Sequence, residues 1–500
     1  MQEVDGVEAP TRTGVELLSG SAAAAPADVL IVGVAQSPDG AVLAPKSEDV
    51  DKAFGGGLIE LLRSCGSTGK ADEVVRIPSS GVVQARVVLA VGLGTVEGDA
   101  PTAEQVRRAS GAAARALSGV DHAVSTLSRL DLAATVEGSL LGAYRFADYK
   151  SSTPPLARLG LLTEGAGHTE VLRRAEEVAE AVTLARDLVN LPPNDLFPQS
   201  FADRTVALGK QYGLDVETLD HEDLAAQGFN GILAVGMGST RRPWLVRLRY
   251  RADRPKARIA LVGKGVTFDT GGISLKPAQN MDEMSADMAG AAAIVATVVL
   301  AAKLQLPLDV VATVPMAENM PSGSAYRPGD VIRMYGGKTV EVINTDAEGR
   351  LILGEAIVRA AEDEPDHLIE VSTLTGAQQV ALGNRTYAVL GTPELRDRVV
   401  GHAQATGEGA WPMPLAEDVR AGIDSQIADL KNSPGHKIGG MLAAAHFLAA
   451  FVPDGLPWAH LDMAGPGQNT GSAWGYTGPG ATGVPVRTLA ALLLEVAGRG

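Results

Sequence analysis

The feature that most constrains this chain is a recurring alternation. Short apolar runs ending in glycine or a polar residue are separated by Ala-rich stretches with helical spacing. The first part carries "DVLIVGVA" (28–35) and "ARVVLAVGLG" (85–94), followed by "TAEQVRRASGAAARAL" (102–117). The second part carries "ARIALVGKG" (257–265), "LDVVATVPM" (308–316), "HLIEVSTLTG" (367–376) and "PWAHLDMAG" (457–465). Strands that alternate with helices need crossover connections, so the fold class is α/β with at least partly parallel sheets. The stretch "EVLRRAEEVAEAVTLARDLVNLPPND" (170–195) has apolar residues at helical spacing and stops at Pro192–Pro193, as a helix must where the backbone donor is lost. A chain of 500 residues is too long for one ordinary core. The organisation expected is a smaller N-terminal α/β domain (1–170), a connecting helix or linker (171–195) and a larger C-terminal α/β domain with a mixed central sheet (196–500).

Charge and cysteine content exclude some classes. A formal net charge of −16 argues against general nucleic-acid binding, which needs a basic surface to meet phosphates. The single cysteine, Cys65, rules out an intramolecular disulfide and fits a reducing compartment. No catalytic signature accompanies it. The opening "MQEVDGVEAPTRTG" has no basic segment followed by an apolar core, and the apolar run "VATVVLAA" (295–302) is too short to span a bilayer. The expected location is cytoplasmic, without membrane attachment.

The chemistry gathers in three segments. "VGKGVTFDTGGISLKP" (262–277) follows a strand and carries Lys264, Asp269 and Lys276. It matches neither GxxxxGK[ST] nor GxGxxG, so a phosphate loop is weakly supported. "NMDEMSADMAGAAAIVATVVLAA" (280–302) gathers Asp282, Glu283 and Asp287 ahead of a helical run. These acids could simply complement a helix dipole, but Asp287 stands in small, apolar surroundings that call for a positive partner. "NTDAEGR" (344–350) places Asp346 and Glu348 two residues apart, where an extended backbone would point both to one side. A solvated loop, or acids ahead of a helix capped by Asn344 or Thr345, would read the same way. Together the segments offer Asp269, Asp287, Asp346 and Glu348 with Lys264, Lys276 and Arg350. Four carboxylates suit two divalent ions. None of the eight histidines falls in these segments and HExxH is missing, which disfavours a mononuclear zincin. His436, His446 and His460 read as structural or surface residues. Carboxylates favour Mn or Mg, whereas an amine nitrogen suits Zn.

"NTDAEGRL" (344–351) together with 262–277 closely resembles the leucyl aminopeptidase (cytosol aminopeptidase) family. The likeness continues through "LVNLPPNDLFP" (188–198), "MDEMSADMAGAAA" (281–293), "STLTGAQQVALG" (372–383) and "WAHLDMAG" (458–465). It covers most of residues 180–490, while the first 170 match only in general character. The resemblance implies a hydrolase that releases N-terminal amino acids from peptides by attack of a metal-activated water, with broad, Leu-like preference. It implies two divalent ions per subunit, Mn or Zn, held by Lys264, Asp269, Asp287, Asp346 and Glu348, with Asp269 and Glu348 bridging. Lys276 and Arg350 become the catalytic pair, Arg350 holding a bicarbonate that serves as general base. The substrate-binding residues implied are Lys276, Met284, Asp287, Asn344, Thr373, Leu374 and Gly376. The partners implied are peptides with a free N-terminus, in a homohexamer. Departures are modest: Glu370 and Ser372 stand where Asp and Ala are common, and Gly354–Glu355 where Ala–Asp is usual. A phosphoesterase using the same metals and a DNA-binding role are the competing readings.

Overall fold

A computed structural model describes residues 12–436 and 438–499. The chain divides into two compact units. One holds the described residues up to Thr183 together with Gly471–Pro479, and the other holds Leu184–Thr470 and Gly480 onward. The helix His168–Asn190 carries the chain from the first to the second.

The first unit is built on β1 (Gly14–Leu18), β2 (Val29–Ser37), β3 (Gly40–Leu43), β4 (Val74–Pro78), β5 (Val87–Thr95), β6 (His122–Ser125) and β7 (Arg158–Leu162). Their order is β1-β7-β6-β2-β5-β4, with β3 beside β2. The central strands run parallel, and β3 and β4 pair antiparallel at the margins. Along β2 and β5 successive residues serve opposite faces. Ile31, Leu89 and Val91 join one apolar cluster, whereas Leu30, Val32, Val88 and Ala90 join another. That two-sided burial explains why these strands read as continuous apolar runs. The helix Ala103–Ala116 starts at a capping box formed by Thr102 and Gln105, which satisfies donors its first turn would otherwise leave unpaired.

The second unit contains β8 (Asp215–Leu219), β9 (Trp244–Arg251), β10 (Arg258–Gly263), β11 (Gly265–Asp269), β12 (Asp309–Asn319), β13 (Val331–Arg333), β14 (Thr339–Glu341), β15 (His367–Ser372), β16 (Thr386–Gly391), β17 (Gly409–Pro412), β18 (Leu430–Lys431) and β19 (Trp458–Asp462). Its main sheet has the order β17-β16-β19-β15-β10-β12-β9-β8, with β11 on β12. β12, β10, β15 and β19 run parallel, while β9 and β16 pair antiparallel with β12 and β19. The sheet is therefore mixed, and the carboxyl ends of its four central strands share one edge. β13, β14 and β18 form a separate small sheet.

Packing against this sheet is unusually close at the helix Ala289–Lys303. It is buried from Ala289 through Ala301. The longer helical run Met281–Lys303 is long and apolar enough to cross a membrane by length and composition, yet 89% of its most apolar window is buried within the protein. A Cβ added at Gly290 would lie 2.1 Å from the Val371 carbonyl oxygen, so helix and β15 meet backbone to backbone. Gly290→Ala must push the helix off the sheet. We expect overpacking of about 3 kcal/mol, read as a drop of several degrees in Tm; an unchanged Tm would contradict this packing.

Candidate active site

The site lies at the carboxyl edge of the four parallel strands, where ligands bind in open α/β sheets. Lys264 follows β10, Asp269 ends β11, and Thr373–Gly376 follow β15. Asp287 sits between the 3₁₀ turn Met281–Ala286 and the helix Ala289–Lys303. Asp346 and Glu348 precede the helix Gly349–Ala361, whose first turn carries Arg350. All of these residues, with Lys276, Met284, Asn344, Thr373, Leu374 and Gly376, line one cavity of about 880 Å3.

The stretch 344–348 is not the extended segment that alternation predicts. It turns, and Glu348 is already in right-handed helical geometry at φ −77°, ψ −39°. The turn, rather than strand alternation, brings the two carboxylates together. Neither Asn344 nor Thr345 caps the helix. The Asn344 Oδ1 accepts the Asp346 amide at 2.9 Å, and the Thr345 hydroxyl donates to the Gly271 carbonyl at 2.6 Å. The glycine of the motif has a steric reason: a Cβ at Gly349 would come within 2.4 Å of the Lys264 Cε.

Three carboxylates, Asp269, Asp346 and Glu348, each offer an oxygen within 4.8 Å of the others. Two lysines are interleaved with the acids. The Lys264 ammonium lies 2.7 Å from Asp287 and 2.8 Å from Glu348. The Lys276 ammonium lies 2.8 Å from Asp269 and also contacts Asp346. Burial opposes charge on both lysines, but the surrounding carboxylates outweigh it and hold both above the ordinary value. Burial and neighbouring acids push Asp287 up to about 7 and Asp346 up to about 6. Burial also raises Asp269, whereas for Glu348 the two lysines overcome burial and lower the value. Such opposed shifts are what closely packed like charges produce.

The donor set fits a pair of divalent ions. Among the described residues, the buried Asp287 Oδ2 and Asp346 Oδ1 find no aligned hydrogen bond, although each lies beside a lysine. Clustered carboxylate oxygens with lone pairs free to donate are what hard cations take. Lys264 would have to give up its proton before its amine could add a nitrogen donor to the same space. Arg350 is buried, its Nη1 donating to the Asn432 carbonyl at 2.7 Å, while its buried Nε finds no partner among the described residues. Burial lowers Arg350 to about 10 against the pull of Glu348, Asp462 and Asp346. It remains a cation at neutral pH, with a guanidinium edge suited to a planar anion.

Sequence reasoning passed over several residues that hold these groups in place. The Asn319 Nδ2, at the end of β12, donates to Asp269 at 2.8 Å and to the Thr345 carbonyl at 3.0 Å. The Tyr326 hydroxyl also donates to Thr345 O, at 2.7 Å. Asn432, just past β18, accepts from the Ile343 amide at 2.7 Å and donates to the Asn344 carbonyl at 2.6 Å. A lone asparagine after a two-residue strand gives no sequence signal. Asn319 had one, as a polar residue at the end of an apolar strand. Among the histidines, His460 is fully buried against Glu370 and His446 bonds the Ala416 carbonyl at 2.9 Å. His436 is exposed.

Comparison with known proteins points to one family. The catalytic-domain profile of the cytosol aminopeptidase family matches residues 183–490, and its N-terminal-domain profile matches residues 31–153. A probable cytosol aminopeptidase of Rhodococcus opacus (strain B4) is 56% identical over 484 residues, 95% of each chain. A tomato leucine aminopeptidase mutant superposes with a TM-score of 0.86 at 28% identity, covering 99% of this chain and 98% of that one. The bottromycin maturation enzyme BotP in complex with Mn superposes with a TM-score of 0.82 at 36% identity, covering 94% and 100%. With both family profiles matched in order and relatives more than half identical over nearly full length, this chain belongs to the cytosol aminopeptidase family of hydrolases.

Proposed function

We propose that the chain is a metal-dependent aminopeptidase that removes the first residue of peptides bearing a free N-terminus, with broad preference for Leu-like side chains. The observation that carries this reading is the convergence of Lys264, Asp269, Asp287, Asp346 and Glu348 on one cavity, with Lys276 and Arg350 lining it too. These five residues, with the Asp346 carbonyl, would hold two divalent ions. Such ions supply Lewis-acid activation of water and of the scissile carbonyl near neutral pH. The solved relative in complex with Mn supports manganese as one occupant, and the lysine amine keeps zinc in contention.

The chain's own groups supply the rest of the chemistry. The Lys276 ammonium donates to the carbonyl oxygen as negative charge develops there, a preorganised contact that strengthens in the transition state. Arg350 would hold a bicarbonate through its guanidinium edge, placing a general base in the cavity. Asp287 would receive the substrate amine, and its Oδ1 accepts from the Thr373 hydroxyl at 2.7 Å. Met284, Leu374 and Gly376 offer an apolar wall for the first side chain. Such a wall discriminates by only about 1–3 kcal/mol per methylene, hence a broad preference. Water adds across the amide, and the peptide nitrogen leaves with the proton it gains. The acidic balance of the chain continues to argue against nucleic acid as a partner. The relatives' name as cytosol aminopeptidases supports the cytoplasm as the compartment.

Leucyl-anilide assayed against N-acetyl-leucyl-anilide tests the reading. Acetylation removes the amine that Asp287 receives and should slow turnover by about 10³-fold or more. Chelation should abolish activity, and Mn or Zn should restore it. Equal turnover of the two anilides would sink the peptidase assignment. Lys276→Ala should lower kcat by about 10²–10³-fold and Arg350→Ala by about 10²-fold, with smaller changes in KM. A larger effect on KM than on kcat would assign them to ground-state binding instead. The assembly we infer from the resemblance is a homohexamer, and native mass spectrometry should record six chains.

A further inference from the structure

Asp462 ends β19 and is fully buried, yet it is neither a proposed metal ligand nor part of the proposed chemistry. Its partners are distinctive. The Oδ1 accepts the amides of Leu374 at 3.2 Å, Thr375 at 3.3 Å and Ala464 at 3.4 Å, and the Oδ2 accepts the Thr375 hydroxyl at 2.6 Å. All four donors belong to segments that line the cavity, Leu374 and Thr375 on one loop and Ala464 on the other. The two loops leave the sheet side by side. Ser372 faces Asp462 in the β15–β19 register, and the Met463 amide donates to the Ser372 carbonyl at 2.8 Å. A second tie lies further out. The buried Gln378 accepts the Gly465 amide at 2.7 Å and donates to the Thr386 carbonyl at 2.7 Å. A Cβ on Gly467 would stand 3.2 Å from the Thr373 methyl, so the loops touch where they meet the cavity.

We propose that Asp462 is a positioning residue that sets selectivity for the substrate's first side chain, by bracing the Thr373–Gly376 loop against the Ala464–Gly467 loop. The proposal rests on the aminopeptidase reading above and deepens it. A buried carboxylate is costly unless its lone pairs are filled, and here the cavity wall fills them. Losing the brace frees Leu374 and Gly376 to move, and a displacement of about 1 Å at a binding wall is enough to change rates. The braced loop also carries Thr373, which bonds the Asp287 Oδ1. Wall geometry is thereby coupled to the place where the amine is received.

Two variants separate this role from general damage. Asp462→Asn keeps an acceptor for the amides but removes the charge. Thr375→Val keeps the charge, which also faces Arg350 and His460, and removes the hydroxyl tie. Both are assayed with leucyl- and alanyl-anilide, and manganese binding is followed by calorimetry. The expected result is a Leu:Ala ratio of kcat/KM that falls about tenfold in both variants, mainly through KM for the leucyl substrate, with manganese affinity within about twofold of the parent. A ratio unchanged in either soluble variant overturns the proposal. So does manganese affinity that falls in step with activity. The unsubstituted enzyme's discrimination against N-acetyl-leucyl-anilide checks the underlying reading separately, and its failure would remove both.

Discussion

Buried like charge is the constraint around which the second unit is organised. Asp269, Asp346 and Glu348 bring oxygens within 4.8 Å of one another, and Asp287 joins them through Lys264. Carboxylates at that separation in a protein interior repel by several kcal/mol unless cations lie between them. The chain answers with two lysines threaded among the acids, and then with neutral side chains that fix three of the acidic residues. Asn319 holds Asp269, Thr373 holds Asp287, and the Asn344 side chain holds the Asp346 amide. The same arrangement that would be unstable as bare charge has the donor chemistry that suits divalent cations, which is why it reads as a site rather than a core defect.

The fold supplies that arrangement through parallel strands. β12, β10, β15 and β19 deliver Asn319, Lys264, Thr373 and Asp462 to one edge, although these residues are separated by up to two hundred positions in sequence. The backbone contact at Gly290 then sets the depth of the neighbouring helix, and with it the position of Asp287 just upstream. A further amide tie runs from Ala291 to the Lys264 carbonyl at 3.0 Å. Packing and chemistry are thus the same set of contacts viewed from opposite ends.

Two of the departures from family pattern find plain physical accounts. Glu370 is fully buried against His460 on the adjacent strand, in direct register. Glu355 accepts amides from Gly231, Ile232 and Tyr335, each at 2.8 Å, and burial pushes it up to about 7. Its longer side chain reaches the start of the helix Asn230–Gly236, whose first amides it receives. No role for Gly354 beyond close packing against Phe451 emerges.

The sequence by itself determined the α/β class, because apolar runs of strand length alternating with Ala-rich helices admit few other layered solutions. It also singled out Lys264, Asp269, Asp287, Lys276, Asp346, Glu348 and Arg350, since dense charge within apolar surroundings is visible in one dimension. Convergence was not visible there. The alternation argument for Asp346 and Glu348 assumed an extended backbone, and only the folded chain revealed the turn that does the work. Tyr326, Asn432, Gln378 and Asp462 were legible only in three dimensions, and Asn319 showed in the sequence only as a polar residue at a strand end. Their importance comes from hydrogen bonds to segments distant in sequence, and a lone amide, phenol or acid carries no periodicity to announce such bonds. Local chemistry is written in composition and spacing, whereas the bracing of one loop by another depends on which strand ends share an edge, and that is settled by strand order alone.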